Sequence, residues 1–171
     1  KEEFDALGVP FADRGRRADE YVAAMRELWS SELPTFHGEF VNFDGAHCLP
    51  QPVNKSVPIY IGGDTKLAAR RAGRLGDGYF PARGAPMEMI ELAKRTAEEH
   101  GRDPEALNIT TTIPDDLDDI PKLAAAGVKR LMVPAGSGAG PQAKIDGPED
   151  VKNWRSVIEQ CSPAVTRSVI V

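Results

Sequence analysis

The sequence predicts an α/β fold built on a parallel sheet, and two observations lead to this prediction. From residue 57 onward, short apolar strands and amphipathic helices alternate four times, and most of the helices follow their strands closely. Because parallel neighbours need a crossover and a helix is the usual crossover, this order indicates a sheet whose faces are covered. Four units can form an open doubly wound sheet or half of an eight-stranded barrel, and periodicity alone does not choose between them.

Two elements are predicted before these units. At residues 14–29 the apolar residues recur at helical spacing, which places them on one face of a helix. At residues 36–53, aromatic and β-branched residues are interrupted by Gly38 and by Asp44-Gly45, a pattern typical of a hairpin. We therefore expect an inserted hairpin over residues 36–53.

The four units follow one another along the rest of the chain. The predicted strands cover residues 57–61, 78–82, 107–113 and 128–133, and the predicted helices cover residues 65–75, 87–100, 118–126 and a segment that opens at residues 148–150. Residues 136–148 are rich in glycine and proline and lack the Lys-Ser/Thr ending of a nucleotide phosphate loop, so we expect a flexible loop there.

Composition and charge exclude several function classes. The 171 residues are 41% hydrophobic and 27% charged, which is typical of a soluble globular chain. The formal charge of −5 is spread over interleaved signs, which argues against a nucleic-acid partner, and no apolar run is long enough to span a membrane. Cys48 and Cys161 lie far apart with no metal-ligand spacing, so the sequence predicts no metal site and a cytoplasmic protein.

The glycine pair Gly62-Gly63, between the first strand and its helix, is a candidate anion site. Two glycines let the backbone approach an anion, and the following helix presents free N–H groups and a positive dipole end, to which Thr65 adds a hydroxyl. Asp64 would repel a phosphate, or it could serve instead as the N-cap of the helix. Taken alone, such a turn is more often only a tight connection.

Four segments carry a resemblance to a known family. They are residues 3–15 (EFDALGVPFADRG), the helix at 19–29, residues 36–40 (FHGEF), and residues 58–63 (PIYIGG) with the helix and strand start at 68–78. In this order and spacing they resemble the bacterial-luciferase-like flavin oxidoreductases, and most closely the branch that uses coenzyme F420, a 5-deazaflavin. The resemblance implies an oxidoreductase that transfers hydride between F420 and a small organic substrate. An FMN-dependent monooxygenase of the same family is the alternative.

The same resemblance implies a TIM barrel. In this family the segment like residues 3–15 follows the fourth barrel strand, so residues 1–171 would form a single partial barrel domain with strands five to eight and their helices. The first half of the barrel would be absent, and a chain that begins with Lys1 fits a part of something longer. The inserted hairpin would lie near the active-site mouth. No catalytic residue is carried over from the family, so the catalytic residues stay unknown.

Two loops are implied to bind the cofactor, the first its phosphate and the second its phosphate or its acidic tail. Their residues are Gly62, Gly63, Asp64 and Thr65 in the first loop and Ala82, Arg83 and Gly84 in the second. Arg83 would follow the carboxyl end of a barrel strand, where barrel enzymes gather their sites, and a guanidinium there suits an anion.

A half-barrel would expose two sheet edges, near Ile59 and near Met132, whose unpaired N–H and C=O groups seek partners. We therefore expect a homo-oligomer that acts on a small-molecule substrate. A non-catalytic half-barrel, which binds a phosphorylated ligand or only assembles with itself, is a further alternative.

Overall fold

The protein is described by a computed structural model at residues 1–81, 87–132, 147–149 and 155, and it divides into two units. The first unit is Lys1–Ile59 and the second begins at Tyr60. The expectation of one partial barrel domain over residues 1–171 stays a prediction.

The first unit contains one long helix and one small hairpin. Its elements are α1 (Glu2–Ala6), a 3-10 helix (Phe11–Asp13), α2 (Arg14–Ser30), β1 (Phe36–His37) and β2 (Asn42–Phe43). The helix predicted at residues 14–29 is confirmed as α2, which buries Val22 and Ala24. The rings of Phe4 and Phe11 meet edge to face with centroids 5.3 Å apart, so α1 packs on the 3-10 helix.

Of the two interruptions in the hairpin pattern, Gly38 and not Asp44-Gly45 lies in the turn. Strands β1 and β2 pair antiparallel, with Phe36 opposite Phe43, and the Gly38 N–H donates to the Val41 carbonyl at 2.9 Å. The turn therefore lies between these strands, ahead of Asp44-Gly45, which follows β2.

The position of the turn is set by Glu20 of α2. Its carboxylate accepts hydrogen bonds from the backbone N–H groups of Glu39 at 3.0 Å and of Phe40 and Val41 at 2.7 Å. A Cβ on Gly38 would come within 2.1 Å of the same carboxylate, so glycine leaves room for it. The backbone of this turn therefore surrounds the carboxylate of Glu20. The sequence pattern around the turn gives no sign of this distant partner.

We expect Glu20→Gln to destabilise the protein at neutral pH and to matter less in acid. Desolvation raises the pKa of Glu20, but the hydrogen bonds from Phe40, Val41 and Glu39 together lower it further, so the pKa lies below its usual value. A depressed folded-state pKa gives stability above the unfolded pKa of about 4.3, and this stability is lost as the pH falls through the folded value. Urea denaturation at pH 7 and pH 3 measures the difference.

The matched control is Glu2→Gln, because Glu2 lies exposed in the first turn of α1. We expect this control to change stability little at either pH. An equal loss for Glu20→Gln at pH 7 and pH 3 would contradict a role for the carboxylate charge.

The second unit is an α/β arrangement around a four-stranded sheet. Its elements are β3 (Tyr60–Gly62), α3 (Lys66–Leu75), β4 (Gly78–Phe80), α4 (Met87–Glu99), β5 (Asn108–Thr112), a 3-10 helix (Leu117–Asp119), α5 (Ile120–Ala125) and β6 (Val128–Met132). The strands pair in parallel in the order β3-β4-β5-β6. The predicted α/β fold with a parallel sheet is confirmed, and β3 and β6 are the edge strands of the described sheet.

Several predicted elements differ in their bounds. The first strand begins at Tyr60 rather than at residue 57, and the helix predicted at 118–126 is a 3-10 turn followed by α5. The expected strand ends at residues 82 and 133, the loop at 136–146 and most of the last helix lie outside the described residues.

The helices of this unit share one face of the sheet. Tyr79 and Ile109 point to this face, with no solvent exposure, and join Ala72 of α3 and Ile90 of α4 in a single apolar cluster. Leu123 of α5 packs against the same cluster. In a doubly wound sheet, the helices change face only where the strand order reverses. The order β3-β4-β5-β6 has no such reversal, so helices on one face fit half of a barrel and half of a doubly wound sheet alike.

The opposite face carries more polar side chains. Strand residues alternate between faces, so Tyr60, Asn108 and Arg130 lie on the face away from the cluster. The Arg130 guanidinium lies 5.8 Å from the centre of the Tyr60 ring, within reach of a cation–π contact between the two edge strands.

Helices α3 and α4 approach each other closely at Gly73. A Cβ there would lie 2.2 Å from the Ala93 carbonyl oxygen and 2.9 Å from the Ala97 nitrogen. Arg102, which follows α4, donates to the carbonyls of Gly73 and Gly76 at 2.7 Å each. The end of α3 is thus fixed both by backbone contact and by a guanidinium.

We expect Gly73→Ala to destabilise the protein by about 1–3 kcal/mol, the usual cost of inserting a methyl group where the core has no room. Urea denaturation followed by circular dichroism measures the change. The control is Gly62→Ala, because the nearest heavy atom to a Cβ at Gly62 is 4.0 Å away. If both variants unfold at the same urea concentration, the close contact at Gly73 does not limit the packing of α3 on α4.

Candidate functional site

The loop that joins β3 to α3 is built on two glycines with different constraints. Gly63 has a φ of +124°, which residues with a side chain rarely adopt, and a Cβ there would meet the Ala68 Cβ at 3.1 Å. Its N–H donates to the Phe80 carbonyl at 3.1 Å, which holds the loop against the end of β4. The fold therefore requires glycine at position 63.

Gly62 is not required by the fold in the same way. An added Cβ would find only the Phe80 carbonyl oxygen, at 4.0 Å, and the φ of Gly62 is not in the left-handed region. The residue is exposed at the carboxyl end of β3. Its glycine leaves open space beside the loop, where a ligand could approach the backbone.

The start of α3 presents hydrogen-bond donors a few residues after Gly62 in the chain. Thr65 is the N-cap, and its hydroxyl oxygen accepts from the Ala68 N–H at 3.2 Å. The hydroxyl hydrogen of Thr65 stays available for another acceptor. Lys66 and Leu67 begin the helix, where N–H groups have no acceptor within the helix and the dipole is positive.

The N-cap corrects one interpretation of the sequence. Asp64 was a candidate for the N-cap, but the cap is Thr65, one residue later. Both residue types are good caps, so local preference does not separate them. The negative charge of Asp64 therefore remains in the loop without the capping role.

Tyr79 is a site residue that the sequence analysis missed. Its hydroxyl donates to the Gly63 carbonyl at 3.0 Å, from inside the apolar cluster. Burial, followed by the negative charge of Asp64, raises the pKa of Tyr79 above its usual value. In the sequence, Tyr79 belongs to a short strand predicted to be buried, and nothing in the strand pattern distinguishes it. The only signal for a role was a polar hydroxyl in a buried strand.

The second predicted loop lies outside the described residues, since Ala82, Arg83 and Gly84 fall in the gap between 81 and 87. The strand that precedes them in the chain, β4, is described up to its end at Phe80. Gly62 pairs with Phe80, so β3 and β4 end side by side. The expectation that the two loops adjoin each other stays a prediction.

A groove lies on the surface of the helix pair α3 and α4. It has a volume of about 210 Å³ and is lined by Lys66, Arg70, Glu88, Glu91, Leu92 and Arg95. Lys66 pairs with Glu88 at 2.9 Å, which lowers the pKa of Glu88. The groove is lined by three basic side chains and two carboxylates. The charges largely cancel, so the groove has no strong preference for a charged ligand.

Metal and membrane features are not found in the described part of the chain. Among residues 1–81, 87–132, 147–149 and 155, no three His, Cys, Asp or Glu side chains are placed to hold a metal ion. None of the helices seen there has the length and apolar character that a membrane crossing requires.

A comparison with models of protein families shows to which family the chain belongs. A model of the luciferase-like monooxygenases matches residues 1–158. The chain belongs to the luciferase-like monooxygenase family. The resemblance drawn from segments between residues 3 and 78 is thereby confirmed.

Curated relatives in this family differ in cofactor. The chain is 37% identical to an F420-dependent glucose-6-phosphate dehydrogenase of Tsukamurella paurometabola, over 67% of this chain and 35% of the relative. It is 26% identical to an FMNH2-dependent dimethylsulfone monooxygenase of Pseudomonas putida, over 90% of this chain and 46% of the relative. The chain thus spans less than half the length of these luciferase-like relatives.

Solved structures support the same fold. An F420-dependent secondary alcohol dehydrogenase, in complex with an F420-acetone adduct, matches 67% of this chain and 37% of its own chain with a TM-score of 0.53 and 27% identity. The monooxygenase RslO1 from Streptomyces bottropensis matches 95% of this chain and 65% of its own with a TM-score of 0.65, at 20% identity. The second match is evidence of fold alone.

Proposed function

We propose that this chain is the cofactor-anchoring part of a luciferase-like oxidoreductase, which transfers hydride between F420 and a small organic substrate. The relative of 37% identity and the alcohol dehydrogenase structure, both F420-dependent, support this assignment. When bound, the deazaflavin supplies the hydride chemistry, and the residues of this chain bind and orient it.

The sheet of the second unit would form barrel strands five to eight. Two observations support this proposal. The three described helices of that unit share one face of the parallel sheet, as in a barrel wall, and the chain matches only 35–46% of the length of its curated relatives. Strands one to four would then come from outside the 171 residues.

The space beside Gly62 carries the functional proposal. We assign the phosphate of the cofactor to the loop of Gly62, Gly63, Asp64 and Thr65. The open side of Gly62, the Thr65 hydroxyl, and the N–H groups and positive dipole at the start of α3 support this assignment.

Two charged residues act on the same site in opposite directions. Asp64 repels a phosphate, so the loop alone binds it less tightly than its donors would allow. In the second loop, with Ala82 and Gly84, Arg83 would supply the compensating positive charge, since it follows the strand that pairs with β3.

FMN is the second candidate for the cofactor, which would make the protein an FMN-dependent monooxygenase. The similarity to the dimethylsulfone monooxygenase extends over 90% of this chain and favours this alternative. F420 and FMN both carry a phosphate ester, so the same loop serves either.

We expect Gly62→Ala to weaken the binding of F420 or FMN about tenfold or more without changing the stability of the protein. The added methyl group would occupy the space beside the loop, although the fold itself has room for it. Calorimetric titration gives the affinity, and thermal unfolding gives the stability. An unchanged affinity would contradict the assignment of the phosphate to this loop.

A second variant, Arg83→Ala, separates charge from shape in the same titrations. Loss of one charge-assisted hydrogen bond typically costs about tenfold in affinity. This loss should shrink at high salt because an exposed ion pair is screened, whereas the Gly62→Ala loss should persist because it is steric.

The open edges of the described sheet lead to a proposal about assembly. Strands β3 and β6 have a neighbour on one side only among the described residues, and edge strands pair readily with other chains. We expect the 171-residue chain to form a homo-oligomer at micromolar concentration, which light scattering measures. A monomeric mass over that range would count against the proposal.

A further inference from the structure

The sheet face away from the helices carries a positive charge without a counter-charge of its own. Its polar side chains on the described strands include Tyr60, Asn108, Thr110 and Arg130. None of the strands β3, β4, β5 and β6 contains an aspartate or a glutamate. Arg130 is exposed, and it has no ion-pair partner among the described residues.

The Arg130 guanidinium lies over the interior of this face and not at its rim. Arg130 and Tyr60 stand on the two edge strands of the described sheet, three strand spacings or about 14 Å apart. The Tyr60 ring leans over Gly78 of β4, where an added Cβ would come within 2.3 Å of ring atoms. The guanidinium lies 5.8 Å from the centre of that ring, so the two side chains converge above the inner strands.

Strand β5 adds two polar atoms without partners to this face. The side-chain oxygens of Asn108 and Thr110, Oδ1 and Oγ1, are closed to solvent and have no hydrogen-bond partner among the described residues. Thr110 is paired in register with Arg130, so these groups belong to one part of the face. Buried polar atoms are normally paired. The face therefore lacks hydrogen-bond partners as well as a counter-charge.

Closing this sheet into a barrel would bury Arg130. The interior of such a barrel is filled by layers of side chains and not by water. A guanidinium enclosed there without a carboxylate is strongly destabilising, because nothing compensates the loss of its hydration. The segment that completes the barrel has to bring a carboxylate to Arg130.

A second copy of this chain does not meet that requirement. It would bring another Arg130 and no carboxylate from its own strands, so two like charges would meet inside the barrel. Copies that pair only along a sheet edge leave this face open and avoid the conflict. Edge pairing between copies and closure of the barrel are therefore separate events.

We propose that the face around Arg130 docks a different half-barrel segment, whose inward-facing side chains include an aspartate or a glutamate opposite Arg130. The inference rests on the proposed function, in which this sheet supplies barrel strands five to eight. Charge complementarity identifies the occupant, because only an acidic partner allows the guanidinium to be enclosed. The chain also matches only 35–46% of the length of its curated relatives, which leaves room for another half.

A charge-reversed copy of this chain serves as the acidic partner in the test. Arg130→Glu keeps the half-barrel and places a carboxylate on its inward face, where it can meet Arg130 of a wild-type copy. Wild-type chain with a fluorophore at its N-terminus is titrated with unlabelled Arg130→Glu or with unlabelled wild type, and anisotropy gives both affinities. We expect the variant to bind at least tenfold more tightly, as close charge pairs across an interface do. Association along the sheet edges is common to both titrations and cancels in their ratio.

The matched control is Arg70→Glu, because Arg70 is an exposed arginine of helix α3 and the change in net charge is the same. Either variant makes a chain with a formal charge of −5 more negative, which by itself opposes association. We expect Arg70→Glu to bind the labelled wild type no more tightly than unlabelled wild type does.

The second variant is Arg130→Gln, which removes the charge and keeps a long polar side chain. It should bind the labelled wild type more tightly than wild type does, since like-charge repulsion is absent, but less tightly than Arg130→Glu. This variant tests the inference even if Arg130→Glu folds poorly.

The outcomes separate the inference from the proposed function. Equal affinities of wild type and both position-130 variants overturn the docking role of the face, and so does an equal gain in Arg70→Glu. The wild-type chain is also titrated with FMN and with F420. Cofactor binding without a gain at position 130 overturns only the inference. A gain confined to position 130 supports docking, and the absence of cofactor binding would then overturn only the assignment of the phosphate.

Discussion

The close packing of α3 on α4 is the constraint on which the second unit depends. At Gly73 the two helices approach until there is no space for a methyl group, and buried alanines line the contact at positions 68, 69 and 72 of α3 and 93 and 97 of α4. The two helices cover one face of the sheet, and they belong to the crossovers that connect the adjacent parallel strands β3, β4 and β5.

This packing also places the candidate site. With α3 fixed on α4 and β3 in register with β4, the loop between β3 and α3 can only end beside Phe80. Gly63 then meets two residues of β4, one through the Phe80 carbonyl and one through the Tyr79 hydroxyl. The loop geometry is thus a product of the core, and a change in the packing of the helices would move the donors of the site.

Much of this fold follows from short-range patterns in the sequence. Helix α2 is predicted by apolar spacing, and α4 by the same spacing with Gly101 shortly after its end. These patterns do not predict local structure that depends on a residue distant in the sequence. Glu20 sets the hairpin turn from about twenty residues away. Tyr79 fixes Gly63 from the next strand, and no pattern around Gly63 contains this information.

The two loop glycines show where sequence reasoning needs the structure. In the sequence they form one motif, and the argument for an anion site treats them as equivalent. In the structure Gly63 is explained by its backbone angle and by the contact with Ala68, so its presence says nothing about a ligand. Gly62 has no such explanation, since the fold has room for a side chain there. The case for cofactor binding therefore depends on the glycine that the fold does not need.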